Sequence, residues 1–231
     1  MAQINYHLQQ AFERSQTPPG FALDSTSMEH FLALCHHHHY PGKNIIIRPG
    51  DTISTLYYII KGSLVVCSED QRGHELILAY LNSGQFMGQM ELFVAQSQCE
   101  FVVRSRSPCE IAEITYKRLF QLMEGPLHKD CPKILFAIGS QLTQQLLNTS
   151  RQVNRMAFLD VAHRISLTLL DLCREPDAMT HPDGTQIRIS RKEISQIVSC
   201  SREMAGRVLK QLEEKNMIGV SGKTIVVYGS R

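Results

Sequence analysis

The sequence predicts an α+β protein in which an antiparallel β domain precedes a long helix and a small C-terminal helical domain. From about Asn44 to Ile114, short β-rich runs alternate with glycine-containing turns. After Tyr116 the spacing of apolar residues changes to that of helices, and the segment from Arg191 to Ile218 has the pattern of two short helices joined by a tight turn. With 231 residues, the chain is long enough for two modest domains that each have a core.

The composition is that of an ordinary globular protein. Hydrophobic residues make up 43% of the chain and charged residues 20%, which excludes a disordered protein. No apolar run is long enough to span a bilayer and the N-terminus lacks the apolar segment of a signal peptide, so we expect a cytoplasmic protein. The seven cysteines are scattered and include no CxxC pair. They are therefore predicted to be free thiols rather than ligands of zinc or an iron–sulfur cluster.

Basic residues concentrate near the C-terminus. Residues 185–231 contain nine Lys or Arg and four Asp or Glu, whereas residues 1–184 contain fifteen and eighteen. This distribution fits contact with nucleic acid that is confined to the C-terminal domain.

The first half of the chain is predicted to begin with a capped helix, Ser25 to Leu34, and to continue as the β domain. The β-rich runs are short and closely spaced, which favours an antiparallel sandwich or barrel over a parallel sheet. Between helix and strands, His36–His39 is predicted to be a surface loop, since a metal site would need a second group of ligands that the sequence does not offer. The turns that separate the runs contain Pro49-Gly50, Gly62, Gly73 and Gly84.

After a short helix from Lys117 to Met123, Pro132 is suited to the first turn of a long helix that runs to about Val153. One face of this helix is mainly apolar and is predicted to pack on the β domain and on a partner helix, although burial wholly within its own chain is the alternative. A hinge from Asn154 to Asp160 and a helix ending near Cys173 follow. The residues on or beside that face are Ile134, Leu135, Ile138, Leu142, Gln145, Leu146 and Thr149.

The helix pair between Arg191 and Ile218 has the plan of a helix-turn-helix. The second helix has one apolar stripe, and the Gly219 to Tyr228 segment after it is predicted to be a small hairpin. A helix-turn-helix followed by a hairpin is a winged helix. The stripe consists of Met204, Val208, Leu209 and Leu212.

The polar side of the second helix carries residue types suited to reading DNA. Arginine can pair with guanine O6 and N7, glutamate can accept a hydrogen bond from cytosine N4, and lysine can neutralise phosphate. The alternative is a helical hairpin whose charged face is simply hydrated. The residues concerned are Ser201, Arg202, Glu203, Arg207 and Lys210.

These motifs resemble the CRP/FNR transcription factors, in the group of the cyclic AMP receptor protein. The similarity extends from about Phe31 to Arg231 and is densest in four runs: AFLDVAHRI, EPDAMTHPDGTQIRISRKEI, CSREMAGRVLKQLEE and GKTIVVYGSR. It implies an N-terminal cyclic-nucleotide-binding β-roll at residues 1–130, a dimerisation helix and hinge at 131–156, and a winged helix-turn-helix that binds a palindromic operator at 157–231. It also implies a homodimer that acts as a transcriptional activator.

The same resemblance assigns roles to particular residues. Arg202, Glu203 and Arg207 match the family's base-reading positions, with Ser201 and Lys210 near phosphates. The resemblance also implies that two surfaces of the protein contact the α subunit of RNA polymerase. The loop for the C-terminal domain of that subunit matches residues 178–184, which include Thr180, His181 and Gly184. A basic patch for its N-terminal domain matches His36, His38 and Arg118.

The effector pocket departs from the family pattern. Gly88 is kept, but Gln89 replaces the glutamate that binds ribose, and Cys99 and Glu100 replace the Arg-Ser pair that binds the cyclic phosphate. Loss of the arginine removes a charge-assisted bond worth roughly 1.5–3 kcal/mol, and Glu100 is expected to repel the anion. Ala79 replaces a polar pocket residue, whereas Thr149 and Ser150 match the adenine-reading pair.

Three hypotheses about the effector follow. The protein is active without cyclic AMP, or it binds another effector, or cyclic AMP binds weakly in another pose. The Clp-type regulators of xanthomonads are similar in carrying glutamate where Glu100 stands and respond to cyclic di-GMP, which makes that nucleotide a candidate.

Two further function classes have less support. In one, the C-terminal domain binds another protein, but such a domain would have no need for the base-reading residues Arg202, Glu203 and Arg207. In the other the protein is an enzyme, but no nucleophile–base pair, phosphate-binding loop or metal cluster is evident. A redox role for Cys99 remains open beside that of a filler thiol.

Overall fold

A computed structural model describes residues 24–94 and 98–230 of the chain. The predicted first domain therefore includes residues 1–23, which lie outside the described part. In order, the helices and strands of the β domain and the long helix are α1 (Ser25–Ala33), β1 (His36–Tyr40), β2 (Ile45–Ile47), β3 (Thr55–Lys61), β4 (Ser63–Glu69), β5 (Glu75–Asn82), β6 (Phe86–Met87), β7 (Val102–Ser105), β8 (Cys109–Thr115), α2 (Tyr116–Met123) and α3 (Cys131–Phe158).

The C-terminal part begins directly after α3. Its elements are α4 (Val161–Leu172), β9 (Met179–His181), β10 (Gly184–Arg188), α5 (Arg191–Val198), α6 (Arg202–Glu214), β11 (Ile218–Ser221) and β12 (Thr224–Tyr228). Within the described ranges, no helix has the length and hydropathy needed to cross a membrane.

Two antiparallel sheets face each other in the β domain, as the closely spaced strands predict. Their strand orders are β1-β8-β3-β6 and β2-β7-β4-β5. Ile59, Leu64 and Ile111 are fully buried between them. A second core lies where α1, α2 and the start of α3 cover one end of the sheets, and its centre includes Phe31, Leu119, Ile134 and Ile138.

The histidine run is a strand and not a loop. Residues His36–Tyr40 pair along the whole length of β1 with β8, and β1 is the edge strand of its sheet. The prediction of a loop was wrong because the pairing partner is distant in the sequence. The four imidazoles remain exposed, which is normal for an edge strand that presents polar side chains.

The long helix α3 extends from Cys131 to Phe158, with Pro132 in its first turn as predicted. The predicted hinge from Asn154 to Asp160 is wrong for most of its length, because the helix continues to Phe158 and only Leu159 and Asp160 are non-helical. The chain leaves α3 at Leu159, and Asp160 then caps α4 by accepting a hydrogen bond from the His163 N–H at 2.8 Å.

The C-terminal part is a winged helix with a core of its own. The four-stranded sheet β11-β12-β10-β9 covers one side of the helices. Ile165, Ile194, Ala205, Leu209 and Ile225 are almost completely buried at its centre. The predicted hairpin is β11–β12, whose turn is Ser221-Gly222-Lys223-Thr224.

Two glycines of the β domain allow a matched test of its packing. Gly88 has φ +83°, and a Cβ there would lie 2.5 Å from the carbonyl oxygen of Thr55. Gly84 has φ +88° with no atom within 4 Å of such a Cβ. We predict that Gly88→Ala lowers the free energy of unfolding by about 2–4 kcal/mol and Gly84→Ala by only about 1 kcal/mol, since only the first adds a clash to the backbone strain.

Urea unfolding followed by circular dichroism at one fixed protein concentration measures both effects. Equal losses in the two variants would contradict the close approach of Gly88 to β3.

Candidate nucleic-acid interface and effector cavity

Local sequence signals define both helices of the helix-turn-helix. Helix α5 begins with a capping box: the Glu193 N–H donates to the Ser190 hydroxyl at 3.2 Å, and the Ser190 N–H donates to the Glu193 carboxylate at 3.0 Å. It ends where Ser199 adopts φ +53°. Helix α6 is capped at its N-terminus by Ser201, whose hydroxyl accepts the Met204 N–H at 3.1 Å. These caps fix the turn between the two helices.

The two faces of α6 differ as the sequence predicts. Val208, Leu209 and Leu212 are buried and Met204 is half-buried; Ala205, which the apolar spacing missed, is completely buried. The opposite face exposes all five predicted DNA-contacting residues: Ser201, Arg202, Glu203, Arg207 and Lys210. The structure thus brings the predicted set together on one accessible surface.

The charge on this face suits base recognition. The pKa of Glu203 lies below its usual value because its own backbone N–H and the Ser201 side chain donate to the carboxylate, and because Arg202 and Arg207 are close. The carboxylate is therefore ionised at neutral pH, the form that accepts a hydrogen bond from cytosine N4. Lys210 lies 3.8 Å from Glu214 and is otherwise exposed.

The winged helix packs against the β domain of the same chain, which the sequence pattern did not predict. Ile197 of α5 contacts the cluster formed by Val65, Cys67 and Ile77. Beside it, Gln196 Nε2 donates to Glu75 Oε2 at 2.6 Å. An open cleft of about 960 Å³ between the two units is lined in part by Glu69, Asp70, Glu75, Arg104, Lys192 and Arg202.

A second polar link joins the two units through Glu175. Asn82 Nδ2 donates to Glu175 Oε2 at 2.7 Å. Burial raises the pKa of the Glu175 carboxyl above its usual value. These contacts orient the recognition helix relative to the β domain.

The predicted effector pocket is a cavity of about 810 Å³ between the β domain and α3. Five of the seven predicted residues line it: Ala79, Gly88, Gln89, Cys99 and Thr149. Glu100 and Ser150 do not, and this corrects their placement. Glu100 is exposed, and the carboxylate that lines the cavity is that of Glu91. Ser150 is also exposed, and its hydroxyl donates to the Leu146 carbonyl at 2.9 Å.

Amide side chains join α3 to the wall of this cavity. Gln89 is buried, and its Nε2 donates to Gln145 Oε1 at 3.0 Å. One turn away, Gln141 accepts the Phe86 N–H and donates to the Phe86 carbonyl, both at 2.7 Å. Sequence reasoning missed Gln141 as a functional residue. The sequence feature that could have indicated Gln141 is its amide, which lies on the side of α3 that faces the β domain.

Cys99 is held within the loop that borders the cavity. Its Sγ donates to the Phe101 carbonyl at 3.3 Å, and the Cys99 N–H donates to the Asp51 carbonyl at 3.0 Å. Burial raises the pKa of the thiol above its usual value, which favours the protonated form of Cys99 over the nucleophilic thiolate. In the described part of the chain, no group of three His, Cys, Asp or Glu could hold a metal ion.

The residues predicted to meet RNA polymerase lie on β1, α2 and the β9–β10 hairpin. His36 and His38 are exposed on β1, and Arg118 is exposed in the first turn of α2. Thr180 is exposed on β9, whereas His181 is half-buried. Gly184 is buried, and a Cβ there would lie 2.0 Å from the Val227 carbonyl oxygen, so it can shape the β9–β10 hairpin but presents no contact surface.

Comparisons with known proteins match both halves of this architecture. A cyclic nucleotide-binding domain model matches residues 37–125, and a Crp-like helix-turn-helix domain model matches residues 163–228. The CRP-like protein Clp of Xanthomonas euvesicatoria pv. vesicatoria (strain 85-10) is 50% identical over 213 residues, which are 92% of this chain and 93% of that protein. The chain belongs to the CRP/FNR family.

Solved structures of CRP/FNR proteins agree with this assignment. One from Xanthomonas campestris, described as the c-di-GMP responsive global regulator CLP, has a TM-score of 0.83 at 49% identity and covers 90% of this chain and 100% of that one. A CRP/FNR regulator from Thermus thermophilus has a TM-score of 0.70 at 18% identity, covers 83% and 93% of the two chains, and shows the common fold. This CRP/FNR protein is a DNA-binding transcription regulator and not an enzyme, which confirms both predictions.

The exposed face of α6 yields a test of base reading in this CRP/FNR protein. We predict that Arg202→Ala weakens binding to a palindromic TGTGA…TCACA-type duplex by about 1–3 kcal/mol per half-site and relaxes sequence preference. The matched control Lys210→Ala should weaken binding to specific and scrambled duplexes alike. It should also reduce the slope of log affinity against log salt concentration by about one.

Fluorescence anisotropy with both duplexes at several salt concentrations separates these outcomes. If Arg202→Ala lowers affinity for the two duplexes equally, Arg202 does not read a base.

Proposed function

We propose that this protein is a dimeric, sequence-specific transcription regulator of the bacterial cytoplasm that recruits RNA polymerase and is not activated by cyclic AMP in the usual way. The observation that supports independence from cyclic AMP is the hydrogen bond from Gln89 to Gln145. It connects the β domain to α3 at the position where the family resemblance expects a ribose-binding glutamate. The chain's own side chains thus supply a link between the two elements.

The chemistry of the cavity supports the same proposal. Cys99 stands where the resemblance expects the phosphate-binding arginine, and none of the described residues lining the cavity is Lys, Arg or His. A phosphate in this cavity would forgo a charge-assisted hydrogen bond worth roughly 1.5–3 kcal/mol and would lose part of its hydration. Glu91, which lines the cavity, adds a charge of the same sign.

The surface of α3 supports a homodimer. Leu146 and Val153 on this helix are 67% and 60% exposed, and Phe158 at its end is 76% exposed. Large exposed apolar side chains gathered on one helix are typical of a protein–protein interface. Two copies joined along α3 would present two recognition helices to the two half-sites of a palindrome.

The polymerase contacts rest on exposure and residue type. His36, His38 and Arg118 are accessible cationic or titratable groups, and the exposed Thr180 lies on the hairpin that the resemblance assigns to the α subunit. None of these residues belongs to the DNA-reading face of α6, so promoter binding and polymerase contact use different residues.

A second candidate is a regulator whose DNA binding responds to cyclic di-GMP, or to weakly bound cyclic AMP, through the altered cavity. The observation favouring it is the 49% identity to the Xanthomonas campestris protein described as c-di-GMP responsive. The two candidates differ in whether a nucleotide changes the affinity for DNA.

Gel shifts on the palindromic duplex, with and without each nucleotide, distinguish them. The proposal expects full binding by the purified protein alone and less than about a twofold change on addition of cyclic AMP. Calorimetric binding of cyclic AMP at micromolar affinity and one nucleotide per chain would overturn it. A change in affinity with cyclic di-GMP would establish the second candidate.

The amide link gives a further prediction. Gln89→Ala should weaken DNA binding by about two- to tenfold, because it removes one hydrogen bond that joins the β domain to α3. Gln144→Ala is the matched control, since Gln144 also lines the cavity but, within the described ranges, its amide bonds along the helix to Asn148 at 3.1 Å. Equal effects of the two substitutions in the gel shift would show that the link is not needed.

A further inference from the structure

The cavity between the β domain and α3 is lined mainly by hydrophobic side chains. Strands β2, β4, β5 and β7 supply one wall, and α3 supplies the other. Its volume of about 810 Å³ lies within the range of roughly 300–1,000 Å³ found for pockets that bind small molecules. Representative apolar residues of the lining are Ile47, Val66, Leu81, Phe101, Val103 and Leu142.

The electrostatic character of the lining disfavours an anion. The described lining residues include no cationic side chain, and Glu91 contributes a carboxylate. A phosphate or carboxylate would thus leave water without gaining a cationic partner, whereas an uncharged ligand would lose little by the transfer.

The polar groups of the lining are amides and hydroxyls, and several already have partners. The Gln141 amide bonds twice to Phe86, and the Gln89 amide bonds to Gln145. Thr149 donates its hydroxyl to the Gln145 carbonyl at 3.0 Å. With these groups engaged in the fold, binding energy must come mainly from apolar contact, and only a few directional bonds remain to orient a ligand.

We propose that this cavity binds an uncharged, largely apolar small molecule rather than a nucleotide. The inference rests on the proposed function in one respect, the loss of the phosphate clamp at Cys99. It goes further because it assigns a ligand class from three properties of the cavity: its size, its apolar walls and the lack of a cationic side chain among the described lining residues.

A pair of fluorescent dyes that share one scaffold tests the ligand class. N-phenyl-1-naphthylamine is uncharged, and 1-anilinonaphthalene-8-sulfonate is the same scaffold with one added sulfonate. We expect saturable binding of the uncharged dye at one per chain and at least about tenfold weaker binding of the sulfonate at the same site, because the anion finds no cation there. Fluorescence titration of the full-length protein measures both affinities.

Substitutions place the dye in the cavity. Ala79→Trp should fill the cavity and reduce the affinity of the uncharged dye by at least about tenfold, whereas Ala33→Trp on the exposed side of α1 should leave it unchanged. Because a tryptophan inside the cavity can disturb folding, Gln144→Arg provides a second variant. Gln144 is exposed yet lines the cavity, and an arginine there should raise the affinity of the sulfonate dye relative to the uncharged one.

Two results would overturn the proposal. One is equal affinity of the two dyes for the unaltered protein. The other is binding of the uncharged dye with unchanged affinity in Ala79→Trp, which would place the dye outside the cavity. Gel shifts without any dye test DNA binding in the same preparations, so a failure of the ligand assignment is distinguishable from a failure of the proposed function.

Discussion

The arrangement of the protein depends on the packing of α3 against the β domain. Ile134 and Ile138 anchor the first half of the helix in a core where both are fully buried. Farther along, the Gln141 amide satisfies both backbone groups of Phe86. An amide side chain can donate to a carbonyl and accept from an N–H at once, and an unpaired buried backbone group would cost free energy comparable to a lost hydrogen bond. Because α3 forms one wall of the cavity and leads into the winged helix, this contact sets the geometry of both functional regions.

The two functional regions nevertheless have separate cores. The winged helix is stabilised by residues of its own helices and sheet, from Ile165 to Val227. Among the described residues, its links to the β domain include the apolar contact of Ile197 and several polar contacts, such as Gln196 to Glu75 and Arg106 to Asp177. A change in the chemistry of the cavity therefore leaves the core of the winged helix and the side chains of α6 unaltered, while the contacts of α3 and the β domain still set the orientation of α6. This separation explains how one chain combines a well-matched recognition helix with a divergent effector cavity.

The sequence was sufficient where the determining interactions are local. The capping residues Ser190 and Ser201 lie within three positions of the backbone groups that they bind, so both helix starts follow from the pattern. It was insufficient where partners are distant. The histidine strand β1 pairs with β8, and Gln89 bonds to a residue 56 positions away. Neither leaves a periodic signal. The family resemblance located most of the cavity, but Glu100 is exposed and the carboxylate residue in the lining is Glu91.

The identity of residue 99 connects the chemistry of the cavity to the stability of the fold. An arginine buried at this position without an anion would be an unpaired charge in apolar surroundings, which costs several kcal/mol. Cys99 carries no such cost, because burial keeps the thiol protonated and the Phe101 carbonyl accepts its hydrogen bond. Compared with the arginine that the family resemblance expects at this position, Cys99 offers no clamp for a phosphate and needs no phosphate to neutralise a buried charge. With α3 held by Gln89 and Gln141, the chain has its own means of keeping the β domain and the long helix in contact, which supports DNA binding that does not depend on cyclic AMP.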